Sequence, residues 1–159
     1  MAKSVYIETT VFSFRYTTRR DVASRYRREA TEQWWQEQSA AYDLYTSAAS
    51  MQELASGRFA WQAQAMAMAS AMKGLEITDE VIGTARVYAR HLVMPQSASG
   101  DALHLAVASH YEVDYLLTWN VRHIANPSKL EHITVINRRL GFLTPTIVTP
   151  EALWEDRQP

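Results

Sequence analysis

The run Gly100-Asp101-Ala102-Leu103-His104-Leu105-Ala106-Val107-Ala108, followed shortly by Tyr115-Leu116-Leu117-Thr118-Trp119-Asn120, decides the fold. From Asp101 onward the first stretch reads as a compact apolar helix, whereas the second is short, apolar and β-prone and closes on the polar Asn120. Helix followed by strand is one half of an alternating α/β pattern, and the rest of the chain repeats it.

Working outward, Val5-Tyr6-Ile7 reads as a first strand that Glu8-Thr9-Thr10 would end. Val22, Tyr26, Ala30 and Trp34 recur at every fourth residue behind Asp21, which predicts a helix over 22–39. Leu44-Tyr45-Thr46 reads as a strand, then Ala48 to Ala55 as a helix stopped by a left-handed cap at Gly57. The Ala, Gln and Met content of Trp61 to Lys73 predicts another helix, ending at Gly74, with Leu75-Glu76-Ile77 as a weak strand beyond it. Thr78 can cap a helix reaching about Val93, with Pro95 just past its end and a small flexible loop over Gln96-Ser97-Ala98-Ser99-Gly100. After Asn120, Pro127 breaks the pattern, Ile133-Thr134-Val135-Ile136 and Thr146-Ile147-Val148 read as strands, and Thr149 to Leu153 as a capped closing turn of helix. The alternation implies an α/β fold, a mostly parallel central sheet covered on both faces in a three-layer α/β/α sandwich.

With 159 residues, 47% hydrophobic and 21% charged, the chain has the size and composition of one globular domain spanning 1–159. The formal charge of −1 excludes a uniformly basic nucleic-acid wrapper, so any such contact must be local. No cysteine is present, which leaves oxygen and nitrogen as the ligands of any metal. No stretch approaches the roughly 20 apolar residues of a membrane helix, and the N-terminus lacks a signal-peptide core, so a cytoplasmic protein without membrane partners is expected.

Glu8, Glu53, Asp101 and Asn120 each fall where an apolar element meets a loop or cap. In open parallel α/β sheets ligands gather beyond the carboxyl ends of the strands, so these residues, though far apart in the chain, can converge there. Each also has a simpler reading. Ser50-Met51-Gln52-Glu53 matches a capping box, Asp101 can cap its helix, Glu8 can be a solvated strand end and Asn120 a turn residue. Only the joint arrangement points to a cation site.

The ordered set Val5-Tyr6-Ile7-Glu8-Thr9-Thr10, Glu53-Leu54 within Ser47 to Gly57, Gly100 to Ala106, and Leu116 to Asn120 resembles the PIN domain, in particular the VapC-type ribonuclease toxins of type II toxin-antitoxin systems. The resemblance spans roughly residues 4 to 150. It implies a metal-dependent endoribonuclease that uses Mg²⁺ or Mn²⁺ to hydrolyse RNA to 5′-phosphate and 3′-hydroxyl ends, with an antitoxin as partner. It also implies that Glu8, Asp101 and Glu53 are catalytic and, with Asn120, bind the metal. Two positions depart from the family pattern. Glu8 stands where Asp is usual, placing its carboxylate about 1.5 Å further out, and Asn120 stands where an acid is common. Three carboxylates within about 4 Å repel by about 4 kcal/mol per pair at an effective dielectric of 20, and Asn120 avoids adding a fourth. The same change weakens attraction for a second ion, so one tightly held metal is expected, with a second recruited by substrate phosphate.

Thr10 and Thr118 are candidates to support the ligands through their hydroxyls. Arg122 and His123 follow Asn120 and are placed to touch substrate, whereas His104 reads as a packed histidine. Arg15, Arg19, Arg20, Arg25, Arg27 and Arg28 place six cations against Asp21 over residues 15–28, either a solvated helix face or a phosphate-binding patch near Glu8 in which Arg15 and Arg19 touch substrate. Trp34, Trp35, Trp61, Met66, Met68 and Met72 read as core, on helices that can also offer a surface to a homodimer mate or an antitoxin. The alternatives to the nuclease toxin are a non-catalytic PIN-like protein-binding module and a structure-specific DNA nuclease on the same fold.

Overall fold

The computed structural model describes residues 1–91, 93, 94 and 99–156. Pro95 and the segment Gln96 to Ala98, expected to close one helix and form a loop, lie outside them.

Five parallel strands make the sheet: β1 (Ser4–Ile7), β2 (Asp43–Ser47), β3 (Lys73–Leu75), β4 (Tyr115–Leu117) and β5 (Thr146–Val148), in the order β3-β2-β1-β4-β5. Seven helices accompany it among the described residues: α1 (Thr9–Tyr16), α2 (Val22–Glu37), α3 (Ala48–Ser56), α4 (Gln62–Ser70), α5 (Asp79–Arg90), α6 (Ser99–His110) and α7 (Pro127–Leu140). The strand pleat divides the core. Val5, Ile7 and Leu117 point to one face, where Phe12 of α1, Trp34 of α2, Leu54 of α3 and Ala65 of α4 cover them. Tyr6 and Leu116 point to the other, against Tyr88 of α5, Leu105 of α6 and Ile133 of α7. The result is the expected three-layer α/β/α sandwich. Trp34 is fully buried and donates its indole N–H to the Leu153 carbonyl at 2.9 Å, tying α2 to the segment after β5. No helix among the described residues is long and apolar enough to cross a membrane.

Several elements differ from the sequence reading, each for a local reason. Ile133 to Ile136 is helix, not strand: Asn126 caps α7 by accepting Ser128 N–H at 3.1 Å, Pro127 takes the first turn instead of breaking the chain, and Gly141 ends the helix at φ 82°. The segment after β1 is α1, with Glu8 itself as the N-cap that accepts Thr10 N–H at 3.1 Å. Ser50 is interior to α3 and its hydroxyl accepts from Thr46 at 3.0 Å, so Ser50 to Glu53 is not a capping box. Gly57 ends α3 in extended backbone (φ −82°), not in the left-handed region. α4 stops at Ser70, and the strand expected at Leu75 to Ile77 begins earlier, at Lys73. α5 ends at Arg90, while α6 begins at Ser99, which takes Ser99 and Gly100 out of the expected loop and puts Asp101 in the first turn instead of at the cap. Thr149 to Leu153 forms a hydrogen-bonded turn, Ala152 N–H to Thr149 carbonyl at 3.0 Å, without continuing into helix.

Candidate metal centre

β1 leads on to β2 and β3 on one side and is flanked by β4 and β5 on the other, so chain direction across the sheet reverses between β1 and β4. Glu8 directly follows β1 and Thr118 to Asn120 directly follow β4, which puts both at this switch point, where such sheets bind ligands. Glu53 arrives from the second turn of α3, and Asp101 from the first turn of α6.

Glu8 is buried, and every hydrogen bond it accepts among the described residues reaches Oε2, from Thr10 N (3.1 Å), Thr10 Oγ1 (2.5 Å) and Thr118 Oγ1 (2.7 Å). That leaves Oε1 for another ligand. Burial pushes its carboxyl above the ordinary carboxylate range, partly offset by the charge of His104 and the two threonine hydroxyls. Thr10 and Thr118, singled out from sequence as supports, thus both hold Glu8. Thr10 Oγ1 also accepts Trp119 N–H at 2.9 Å, and Thr118 Oγ1 accepts Asn120 N–H at 2.9 Å, locking the ends of β1 and β4 together.

Ligand atoms of Glu8, Glu53 and His104 all lie within 4.8 Å of one another. His104 is fully buried on α6, as a packed histidine should be, yet it also belongs to the polar centre. Its Nε2 lies 2.9 Å from Glu53 Oε1 and 3.1 Å from Thr9 Oγ1, and its Nδ1 lies 2.6 Å from the Tyr6 hydroxyl. Burial alone would push the imidazole down; the Tyr6 oxygen and the Glu53 and Glu8 carboxylates outweigh it and hold the imidazolium well above the ordinary histidine value. Glu53 is 38% exposed at its side chain. Burial raises its carboxyl, but hydrogen bonds from His104 and Thr9 and the His104 charge win, and the group sits below the usual range.

Asp101 and Asn120 form a second, adjoining set. Asn120 Nδ2 donates to Asp101 Oδ1 at 2.9 Å, His123 Nδ1 lies 3.0 Å from Asp101 Oδ2, and His123 N–H donates to Asn120 Oδ1 at 3.0 Å. The sets meet twice, through Thr118 between Glu8 and Asn120, and at Gly100, where an added methyl group would lie 2.5 Å from Glu53 Oε1. The four residues expected from sequence are therefore divided: Glu8 and Glu53 share a centre with His104, while Asp101 and Asn120 are bonded to each other and to His123 one step away.

The donor set suits a hard divalent cation. Glu8 and Glu53 offer carboxylate oxygens, the ligand type such cations take, and the His104 ring nitrogen lies among them. Beside Glu53 a cavity of about 380 Å³ opens between α3, α5 and α6, walled by Ala49, Ile82, Ala85 and Leu103 with Gln52 and Arg86 as polar groups.

The arginines divide as well. Arg15 pairs with Glu32 at 3.1 Å and lies over the rings of Tyr16 and Trp35, and Arg28 donates to the Thr17 carbonyl, so both serve the α1 to α2 contact. Arg19 lies over Trp61. Arg27 stacks on Phe14 and Trp119, next to Asn120, and Arg122 is exposed beside it. Compared with known proteins, the chain matches no protein-family model, no curated protein and no solved structure.

Proposed function

We propose that this protein is a metal-dependent endoribonuclease using Mg²⁺ or Mn²⁺, the toxin of a type II toxin-antitoxin pair acting in the cytoplasm as a homodimer. One observation carries the enzymatic reading. Glu8 and Glu53, from separate elements, present ligand atoms within 4.8 Å at the switch point of a parallel sheet, with Asp101 bonded in place beside them. The toxin assignment, the antitoxin and the dimer rest on the sequence resemblance.

When bound, a divalent ion would offset negative charge on the phosphodiester and on the leaving oxygen. Glu8 Oε1 and Glu53 would hold it, with Asp101 completing the acidic wall. Glu53 is ionised at neutral pH and half exposed, which suits it to orient an attacking water or accept its proton. His123 keeps Asp101 oriented, and exposed Arg122 is within reach of a phosphate approaching from solvent.

The test is cleavage of RNA by the purified protein in Mg²⁺ or Mn²⁺, with EDTA and Asp101→Asn as controls and flap DNA run alongside. Metal-dependent RNA products carrying 5′-phosphates, lost in the variant, are expected. Equal inertness of wild type and variant would leave the protein-binding module, and preferential cutting of the flap would make it a DNA nuclease.

A further inference from the structure

We propose that His104 is a positioning residue whose Nε2–H holds the Glu53 carboxylate in the site, its ring fixed from behind by Tyr6 and Ser47, and that it is not itself a metal ligand. The inference deepens the nuclease reading and rests on it.

Four residues from four elements form one hydrogen-bonded chain. Ser47 Oγ at the end of β2 lies 2.7 Å from the Tyr6 hydroxyl of β1, which lies 2.6 Å from His104 Nδ1 of α6, whose Nε2 lies 2.9 Å from Glu53 Oε1 of α3. Ser47, Tyr6 and His104 are all buried. With a neutral ring protonated at Nε2, the tautomer the Glu53 carboxylate favours, Ser47 donates to Tyr6, Tyr6 to Nδ1, and Nε2–H to Glu53. With a charged ring, Nδ1–H donates to Tyr6 and Tyr6 to Ser47, and Nε2–H still donates to Glu53. The carboxylate accepts in both cases, so the bond that matters survives either protonation state. An Nε2 that carries this proton has no lone pair for a cation.

The energetics favour a positioning role. A glutamate side chain that is 38% exposed would otherwise keep much of its rotamer freedom. The buried chain restricts that freedom in the protein before any ligand arrives, as groups behind metal ligands do. Phe, Leu and Ala at these buried positions would pack without polar groups to satisfy. Thr9, whose Oγ1 lies 3.1 Å from Nε2, limits the ring from the remaining side.

Mn²⁺ alone is the probe, titrated into the full-length protein and followed by calorimetry and pulsed electron paramagnetic resonance. Wild type is expected to bind Mn²⁺ without directly coordinated ¹⁴N. His104→Leu should bind about 10–100-fold more weakly, His104→Gln, whose amide N–H replaces Nε2–H, should recover most of that loss, and Tyr6→Phe should fall between. A ¹⁴N coupling of a bound imidazole, or a folded His104→Leu that binds like wild type, would overturn the inference. Should His104→Leu fail to fold, unchanged affinity in Tyr6→Phe would overturn it equally. If wild type binds no Mn²⁺, the nuclease reading falls separately. Imidazole ¹⁵N spectra of the metal-free protein then decide the positioning role, a protonated Nε2 bonded to Glu53 supporting it and an unprotonated Nε2 refuting it.

Discussion

Gly100 leaves the room that Glu53 occupies: a methyl group on its Cα would lie 2.5 Å from Glu53 Oε1, with Glu53 Cδ at 3.5 Å. The obstructed atoms are the end of a flexible side chain and not backbone, so the protein can yield by moving the carboxylate. Gly100→Ala should therefore separate stability from function. Within α6, alanine is favoured over glycine by up to about 1 kcal/mol, so Tm should hold or rise. Mn²⁺ affinity and RNA cleavage should fall together, by roughly tenfold or more, because Glu53 is pushed off its bond to His104. Wild-type affinity in a stable Gly100→Ala would remove Glu53 from the metal centre.

Thr118 provides a second test, because one hydroxyl serves two ends. It donates to Glu8 Oε2 at 2.7 Å and accepts Asn120 N–H at 2.9 Å while fully buried. Thr118→Val keeps the shape and removes both bonds. Leaving buried groups unpaired costs about 1–3 kcal/mol, and both Glu8 and the loop bearing Asn120 lose a constraint. Denaturant unfolding should show that loss, and divalent-ion affinity should drop with it. An effect on stability with none on ion binding would mean that Glu8 does not need Thr118 to meet the ion.

How far these relationships could be read beforehand depended on the range of the signal. Val5 to Ile7 and Tyr115 to Leu117 alternate with amphipathic helices, a local pattern that betrays a parallel sheet and so the common address of Glu8 and Asn120. The β-branched run Ile133 to Ile136 misled because its composition favours strand, yet burial of Ile133, Ile136 and Asn137 follows helical spacing, and Asn126, Pro127 and Gly141 bracket a helix. His104 was legible as a core residue and not as a partner of Glu53. Its bonds to Tyr6 and Glu53 span 98 and 51 positions, and only the packing of α6 across β1 and α3 creates them. A histidine set among Leu103, Leu105, Ala106 and Val107, three residues after Asp101, was the available hint. The division between the Glu8 and Asp101 sets left no trace in spacing, because it depends on which side chain bonds to which.

Protons and the proposed cation would compete for this centre, and the sign follows from each group. His104, raised above its ordinary 6.5, adds stability that is full below that value and is lost as pH rises through its higher folded value. Glu8, raised by burial above 4.5, acts in the same sense: its contribution is complete below 4.5 and is lost as pH climbs through the folded value. Glu53, lowered, contributes above 4.5 and loses that contribution as acid takes pH down through its folded value. In EDTA, thermal stability should consequently decline on the alkaline side of 6.5. A divalent ion that replaces the proton on Glu8 binds better as pH rises, so the Tm gain on adding Mn²⁺ should grow as pH climbs from 4.5 through the raised folded value of Glu8. A gain independent of pH would place the ion away from Glu8.

Asn137 sets the stability of the opposite face. It is fully buried on α7, accepts the Tyr88 hydroxyl on Oδ1, and donates through Nδ2 to Ser109 Oγ at 3.0 Å and Thr144 Oγ1 at 3.2 Å, so one amide joins α5, α6, α7 and the approach to β5. Burial pushes the Tyr88 phenol up to about 12, so at neutral pH it remains a donor in need of an acceptor. Asn137→Ala removes that acceptor, leaving Ser109 as the partner of the buried phenol, and takes the amide from the Ser109 and Thr144 hydroxyls, at about 1–3 kcal/mol, with a small cavity adding to it. The double variant with Tyr88→Phe removes the hydroxyl that lost its amide acceptor and should recover part of the loss, a coupling that a double-mutant cycle reads directly. Because this network lies across the sheet from α1 and α3, Mn²⁺ affinity should stay within twofold of wild type in every folded variant of the cycle. A change in affinity as large as that of Gly100→Ala would show that the metal centre responds to the global stability of the fold rather than to the contacts of Glu8 and Glu53.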